Sequence, residues 1–130
     1  MDKKPLVVVA DDEPHVRETM AYLLRRHGFR VQTAADGATA LRAGSDPQAA
    51  AVLLDVGLPD MSGTEVCRRL RAADRTHDTL LLLVTGRDDL ATQEEGLAAG
   101  ADLVLTKPLD EPRLFALLAR HMAERHGSEG

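Results

Sequence analysis

Acidic residues, a threonine and a lysine follow four separate apolar runs in this chain. Asp11 and Asp12 follow Pro5-Leu6-Val7-Val8-Val9-Ala10, Asp55 follows Ala51-Val52-Leu53-Leu54, Thr85 follows Leu80 to Val84, and Lys107 follows Leu103-Val104-Leu105-Thr106. Carboxylates crowded at one place repel each other, and a divalent cation is what makes such a cluster persist. Oxygen-only ligands suit Mg²⁺, with Mn²⁺ as the alternative, since no His or Cys adjoins these positions. With the metal neutralising the incoming oxygens, Asp55 is placed to attack a phosphorus centre. Lys107 would pair with the same oxygens as a point charge, and the Thr85 hydroxyl would donate to one of them.

Singly, each residue has a plainer reading: Asp12 as a helix cap, Asp55 as the start of a turn before Gly57-Leu58-Pro59, Lys107 as a solvated loop residue before Pro108. Jointly, the plain readings require a coincidence at each of four run ends.

The elements that must position these residues follow from the pattern. Strand-length apolar runs alternate with stretches of helical period, the signature of βαβ units around a parallel sheet. Parallel strands would bring all these groups out at one carboxyl edge, where open α/β sheets bind ligands. Strands are expected at Leu6 to Ala10, Arg30 to Ala34, Ala51 to Leu54, Leu80 to Val84 and Leu103 to Leu105. The third and fourth lack polar alternation and are expected at the sheet centre. Asp12-Glu13-Pro14 is expected to cap a first helix that stops at Gly28, Ser62-Gly63-Thr64-Glu65 reads as a capping box, and Asp110-Glu111-Pro112 opens the last helix. The second helix, about Gly37 to Ala43, is short. The fourth, about Leu90 to Ala99, carries an unfavourable internal Gly96. Domain boundaries are set at 1–126 for a single folded unit and 127–130 for a flexible tail or the start of a linker.

Composition narrows the classes. At 130 residues the chain is one ordinary domain, and its single Cys67 has no partner for a disulfide, which fits a reducing, cytoplasmic setting. Cys67 reads as a small buried hydrophobe rather than a redox sensor. No apolar run approaches the ~20 residues of a spanning helix, and the opening residues do not read as a signal peptide. A net charge of −5 without a basic stripe, and only three aromatic residues, argue against direct nucleic-acid binding. Walker and dinucleotide fingerprints are absent. The five histidines, His15, His27, His77, His121 and His126, read as surface or helix-end residues. Phe115 and Leu118 could face outward as a contact surface, though core packing explains part of this stripe equally well.

These residues, with Val8 to Pro14, Gly28-Phe29-Arg30-Val31, Ala35-Asp36-Gly37-Ala38, Leu53 to Gly63, Val84-Thr85-Gly86, Gly100-Ala101-Asp102 and Leu105-Thr106-Lys107-Pro108, closely resemble the receiver domain of two-component response regulators, of chemotaxis-regulator type. The resemblance runs from about Pro5 to about His121. It implies a flavodoxin-like α/β fold, a doubly wound parallel sheet of order 2-1-3-4-5. It implies that Asp55 accepts a phosphoryl group from a sensor histidine kinase or histidine phosphotransfer protein, and that Asp11, Asp12, Asp55 and the Gly57 carbonyl hold Mg²⁺. Thr85 and Lys107 would contact the phosphoryl oxygens, Gly86 would let the group approach, and Lys107-Pro108 would be cis. The module would be a signalling phosphoacceptor that transfers and releases its own phosphoryl group, not a turnover enzyme. A homodimer through the face of helix 4, strand 5 and helix 5 is the self-association it implies.

One position departs from the family: Val104 stands where an aromatic residue usually turns inward as the threonine moves. The threonine–aromatic switch therefore cannot work here in its common form. Gly57 offers no side chain to shield the phosphoryl group, and Arg87 would either cross the mouth or be solvated. Two other readings fit the residues less well. An interaction module working without phosphorylation finds footing in Val104 but not in the intact acid cluster. An aspartyl-phosphate phosphohydrolase would need a second Asp where Gly57 stands.

Overall fold

Five strands alternate with five helices along the chain in a computed structural model, which describes residues 4–73 and 78–129, with side chains through Glu124. The strands are β1 (Leu6–Ala10), β2 (Arg30–Ala34), β3 (Ala49–Asp55), β4 (Leu80–Thr85) and β5 (Leu103–Thr106). The helices are α1 (Pro14–Arg26), α2 (Gly37–Gly44), α3 (Gly63–Ala72), α4 (Leu90–Ala98) and α5 (Glu111–Glu129). All strand pairs are parallel, in the order β2-β1-β3-β4-β5. This is the flavodoxin-like arrangement expected from the sequence.

Fully apolar strands can be buried on both faces, and β1 and β3 are. β3 is the middle strand, while β4 shares the flanking position with β1 rather than the centre. Alternate side chains feed two cores. Val8, Ala10, Val52, Leu54, Leu81 and Leu83 pack with Ala40 of α2 and Val66 and Leu70 of α3. Val7, Val9, Leu53, Leu82 and Val84 pack with Met20 and Leu24 of α1 and Leu114 and Leu118 of α5. Each fully buried leucine contributes roughly 1.5–3 kcal/mol.

Several local expectations are corrected. The N-cap of α1 is Glu13, not Asp12, and no side chain caps it; Pro14 pre-sets the first turn. Ser62 accepts from the Glu65 amide at 3.1 Å, but the Glu65 carboxylate turns to Arg68 and Arg69, so only half of the capping box forms. Leu118 is buried, and Phe115 lies half-buried with its ring stacked on His27, centroids 3.7 Å apart. The stripe read as partly outward is the one that seals α5 onto the sheet and α1. His121 is half-buried and its Nε2 has no hydrogen-bond partner among the described residues, unlike a surface histidine. His15 and His27 are exposed, whereas His77 and the side chain of His126 lie outside the described residues. Helix α5 runs on to Glu129, through most of the segment read as a tail, because one glycine near a helix end lowers helix stability without breaking it.

Candidate functional site

Sheet register builds the site. Ala10 pairs with Leu54, so Asp11 emerges beside Asp55; Asp55 pairs with Val84, so Thr85 lies one step beyond; Thr85 pairs with Thr106, which delivers Lys107. The Lys107 amide donates to the Thr85 carbonyl at 2.8 Å, extending that last pair into the loop. The Lys107-Pro108 peptide is cis. The carboxyl edge thus gathers what the sequence had spread over about a hundred positions.

Asp11 is the most tightly held of the acids. Its amide donates to the Ala34 carbonyl at 3.1 Å, its Oδ1 accepts from the Glu13 amide at 2.9 Å, and its carbonyl accepts from Arg17 Nη1 at 2.8 Å. Burial pushes its carboxyl above the ordinary aspartate value; the Glu13 amide pulls the other way, and the Asp55 charge adds to the rise. Lys107 Nζ donates to Asp55 Oδ2 at 3.0 Å and lies 3.7 Å from Asp11 Oδ2. Desolvation is the largest single influence on Lys107 and pulls it down, yet the hydrogen bond and charge of Asp55, with Asp11 and Glu13, leave it above the ordinary lysine value.

Carboxylate oxygens of Asp11, Asp12 and Asp55 lie within 4.8 Å of one another. Asp12 is exposed, Asp11 buried and Asp55 between them. Three hard oxygen donors, one open to solvent, fit a cation that keeps part of its water shell, as Mg²⁺ does. The Gly57 amide donates to Asp55 Oδ1 at 3.0 Å, fixing the carboxylate from the loop side.

Thr85 is buried, and its Oγ1 accepts from the Arg87 amide at 3.1 Å, which leaves the hydroxyl proton to be donated. The Arg87 guanidinium pairs with Asp89 at 3.1 Å and stays largely solvated rather than crossing the mouth. A Cβ on Gly86 would meet nothing within 4 Å, so packing does not demand a glycine there. Val104 is buried in the core shared with α2 and α3, and a Cβ on Gly96 would sit 2.5 Å from its Cγ2.

Sequence reasoning missed the apolar side of the site. A cavity of about 350 Å³ opens beside Asp55 and Lys107, walled by Val16, Met20 and Leu23 of α1 and by Pro108 and Leu109 of the β5–α5 turn. The only signal for it was the apolar stripe of α1, which core packing explains equally well.

The model of the response regulator receiver domain matches residues 7–119. The chain belongs to the response regulator receiver family. The sensory transduction protein RegX3 of Mycobacterium tuberculosis is 39% identical over 127 residues, which cover 95% of this chain and 52% of that protein. The probable transcriptional regulatory protein TcrX of the same species is 41% identical over 124 residues, covering 92% of this chain and 52% of that one. The chain spans about half the length of these curated relatives. Among solved structures, the receiver domain of the sensor histidine kinase PA1611 of Pseudomonas aeruginosa, with a magnesium ion in its active-site cleft, superposes with a TM-score of 0.83 at 26% identity, covering 93% of this chain and 99% of that one. The receiver domain is a regulatory phosphoacceptor of two-component systems and works with histidine kinases or phosphotransfer proteins. Among the described residues no helix is long and apolar enough to cross a membrane.

Proposed function

We propose that Asp55 is the phosphoacceptor of this receiver domain. The observation that carries the proposal is the Lys107 ammonium held 3.0 Å from Asp55 Oδ2, beside the cluster that Asp55 forms with Asp11 and Asp12. An Asp55 oxygen attacks the phosphorus of a phosphohistidine; the new O–P bond forms as the P–N bond breaks, and the imidazole leaves with a proton. Lys107 pairs with the arriving phosphoryl oxygens in place of the carboxylate, and Thr85 donates its hydroxyl proton to one of them. Asp11, Asp12, Asp55 and the Gly57 carbonyl are the proposed holders of Mg²⁺, or Mn²⁺ in its place. When bound, the cation neutralises charge on the transferring group. Hydrolysis of the acyl phosphate by water then resets the domain, so transfer and release are self-catalysed without the domain being a turnover enzyme.

The kinase or phosphotransfer protein is proposed to reach Asp55 over the apolar cavity between α1 and the β5–α5 turn. Exposed Leu90 and Leu97 on α4 support a homodimer through the face of α4, β5 and α5. The receiver unit is proposed as 1–126. Direct nucleic-acid contact is assigned to no residue of this segment, given its net charge of −5. A cytoplasmic location is part of the proposal, in keeping with a relative named as a probable transcriptional regulatory protein.

Intact mass after addition of a small phosphodonor, with and without Mg²⁺, tests the acceptor. One phosphoryl group is expected on the wild type with the metal and none on Asp55→Asn. An equal gain on the variant would move the acceptor elsewhere.

A further inference from the structure

The turn between β3 and α3, residues 56–62, carries Gly57, and it is anchored at both ends. At its start the Gly57 amide donates to Asp55 Oδ1 at 3.0 Å, and at its close the Gly63 amide donates to the Val56 carbonyl at 3.0 Å. A Cβ on Gly63 would collide with the Asp55 carbonyl, so α3 begins directly on the backbone of the acceptor residue. In between, Asp60 reaches outside the turn. Its Oδ1 accepts from the Gly37 amide at 2.6 Å and its Oδ2 from the Ala38 amide at 2.9 Å, the first-turn donors of α2.

Those donors are free for it. Asp36, the N-cap of α2, takes the Thr39 amide instead, at 2.8 Å. Opening amides of a helix have no partner within it, and they carry the positive end of the helix dipole, so a carboxylate is favoured there. The hydrogen bonds from Gly37 and Ala38 accordingly hold the Asp60 carboxyl below the ordinary aspartate value. A Cβ on Gly37 would collide with the Met61 side chain, so α2 is seated on the turn as closely as a glycine permits.

We propose that Asp60 is a positioning residue for the phosphoacceptor centre: by clamping the first-turn amides of α2 with both oxygens, it fixes the turn that presents the Gly57 carbonyl. The inference rests on the reading of that carbonyl as a metal-holding group. A carbonyl on a seven-residue turn, 56–62, has no regular ladder to hold it, and a displacement of about 1 Å is enough to spoil a ligand position. The clamp joins the turn to the first turn of α2. In the same way it passes any movement of the turn to α2.

The simpler role for Asp60 is to cap α2, which would affect stability and nothing else. Mg²⁺ binding measured by calorimetry on the unphosphorylated protein separates the two. Asp60→Ala, which has neither acceptor, is expected to weaken Mg²⁺ binding by roughly tenfold. Asp60→Asn keeps one acceptor of similar shape and is expected to fall between. Hydrogen exchange at the Gly37 and Ala38 amides should speed up in the same order, and phosphoryl acceptance from a small donor should recover as Mg²⁺ is raised. A folded Asp60→Ala or Asp60→Asn protein with wild-type Mg²⁺ affinity, even one with a lower melting temperature, would reduce Asp60 to a helix cap and overturn the proposal. If the alanine variant does not fold, the asparagine variant decides. Failure of the wild type to take up phosphate would count against Asp55 as acceptor, whereas the calorimetric comparison would still judge Asp60.

Discussion

Each acid at the carboxyl edge has its own environment, and Asp11 has the least comfortable one. Its raised carboxyl value means that the folded state holds this proton more tightly than the unfolded chain does. The contribution of Asp11 to metal-free stability is therefore fully present below the ordinary aspartate value and is lost as pH rises through the higher folded value. Lys107, also raised, contributes fully at and below the ordinary lysine value and loses its contribution as pH climbs through the folded one. In Asp11→Asn the Glu13 amide keeps an acceptor and Lys107 keeps Asp55, while a buried charge disappears. Metal-free Asp11→Asn should melt a few degrees above the wild type at pH 7, a gain that shrinks toward pH 3. A lower melting temperature at pH 7 would mean that the attraction of Asp11 to Lys107 outweighs its burial. At the mouth, Gly57 has no side chain and Arg87 is engaged by Asp89, so water has access to the acyl phosphate. A phosphoryl group on Asp55 should decay well within hours in Mg²⁺, followed by intact mass; persistence over many hours would show shielding from another residue.

At the level of elements, α4 and β5 meet through Gly96 and Val104 with almost no space between them. Gly96→Ala gains about 1 kcal/mol of helix propensity, yet its new methyl must displace Val104, an overpacking cost of about 1–3 kcal/mol. Net destabilisation is expected, and Val104→Ala should relieve it, giving a coupling of about 0.5–3 kcal/mol in a double-mutant cycle by denaturant unfolding. Additive effects would mean that α4 simply shifts away. Val104 itself was legible as a departure from the family, because a residue type at a fixed spacing is visible in sequence. Its contact with Gly96 was not, since it depends on how closely α4 approaches the sheet. The same division holds elsewhere. β1 and β2 were legible to the residue, and β3 to β5 to within a residue or two at their ends; for every strand except the more polar β2 the reason is that apolar strands declare their own burial. Phe115 and Leu118 could be read as outward or as core, and the choice was not legible because which face of α5 is sealed depends on α1, far away in sequence. Asp60 read only as part of a motif, for its partners Gly37 and Ala38 precede it by more than twenty residues.

Across the whole molecule, the sheet separates two polar networks. The acid cluster occupies the carboxyl edge. Away from it, Arg71 of α3 donates to the carbonyls of Gly100 and Thr79 and to Asp102, which also accepts from the Leu81 amide at the start of β4. This second network ties α3, β4 and the α4–β5 turn together, and among the described residues it contains none of those proposed for phosphoryl chemistry. A ligand that binds only the folded state adds stability at the first edge: about 2.7 kcal/mol at a concentration a hundredfold above its dissociation constant. Excess Mg²⁺ should therefore raise the melting temperature of the wild type and fail to do so in Asp55→Asn or Asp11→Asn. Arg71→Ala leaves two carbonyls and a carboxylate short of a donor and should lower stability by about 2–3 kcal/mol. The Mg²⁺ increment should survive intact on this lower baseline, because the variant alters no group near the cation. Thermal melts of Arg71→Ala across a Mg²⁺ titration decide the matter. An unchanged increment means that the sheet keeps its two networks energetically separate, whereas a lost one means that the site depends on how β4 is anchored at its far end.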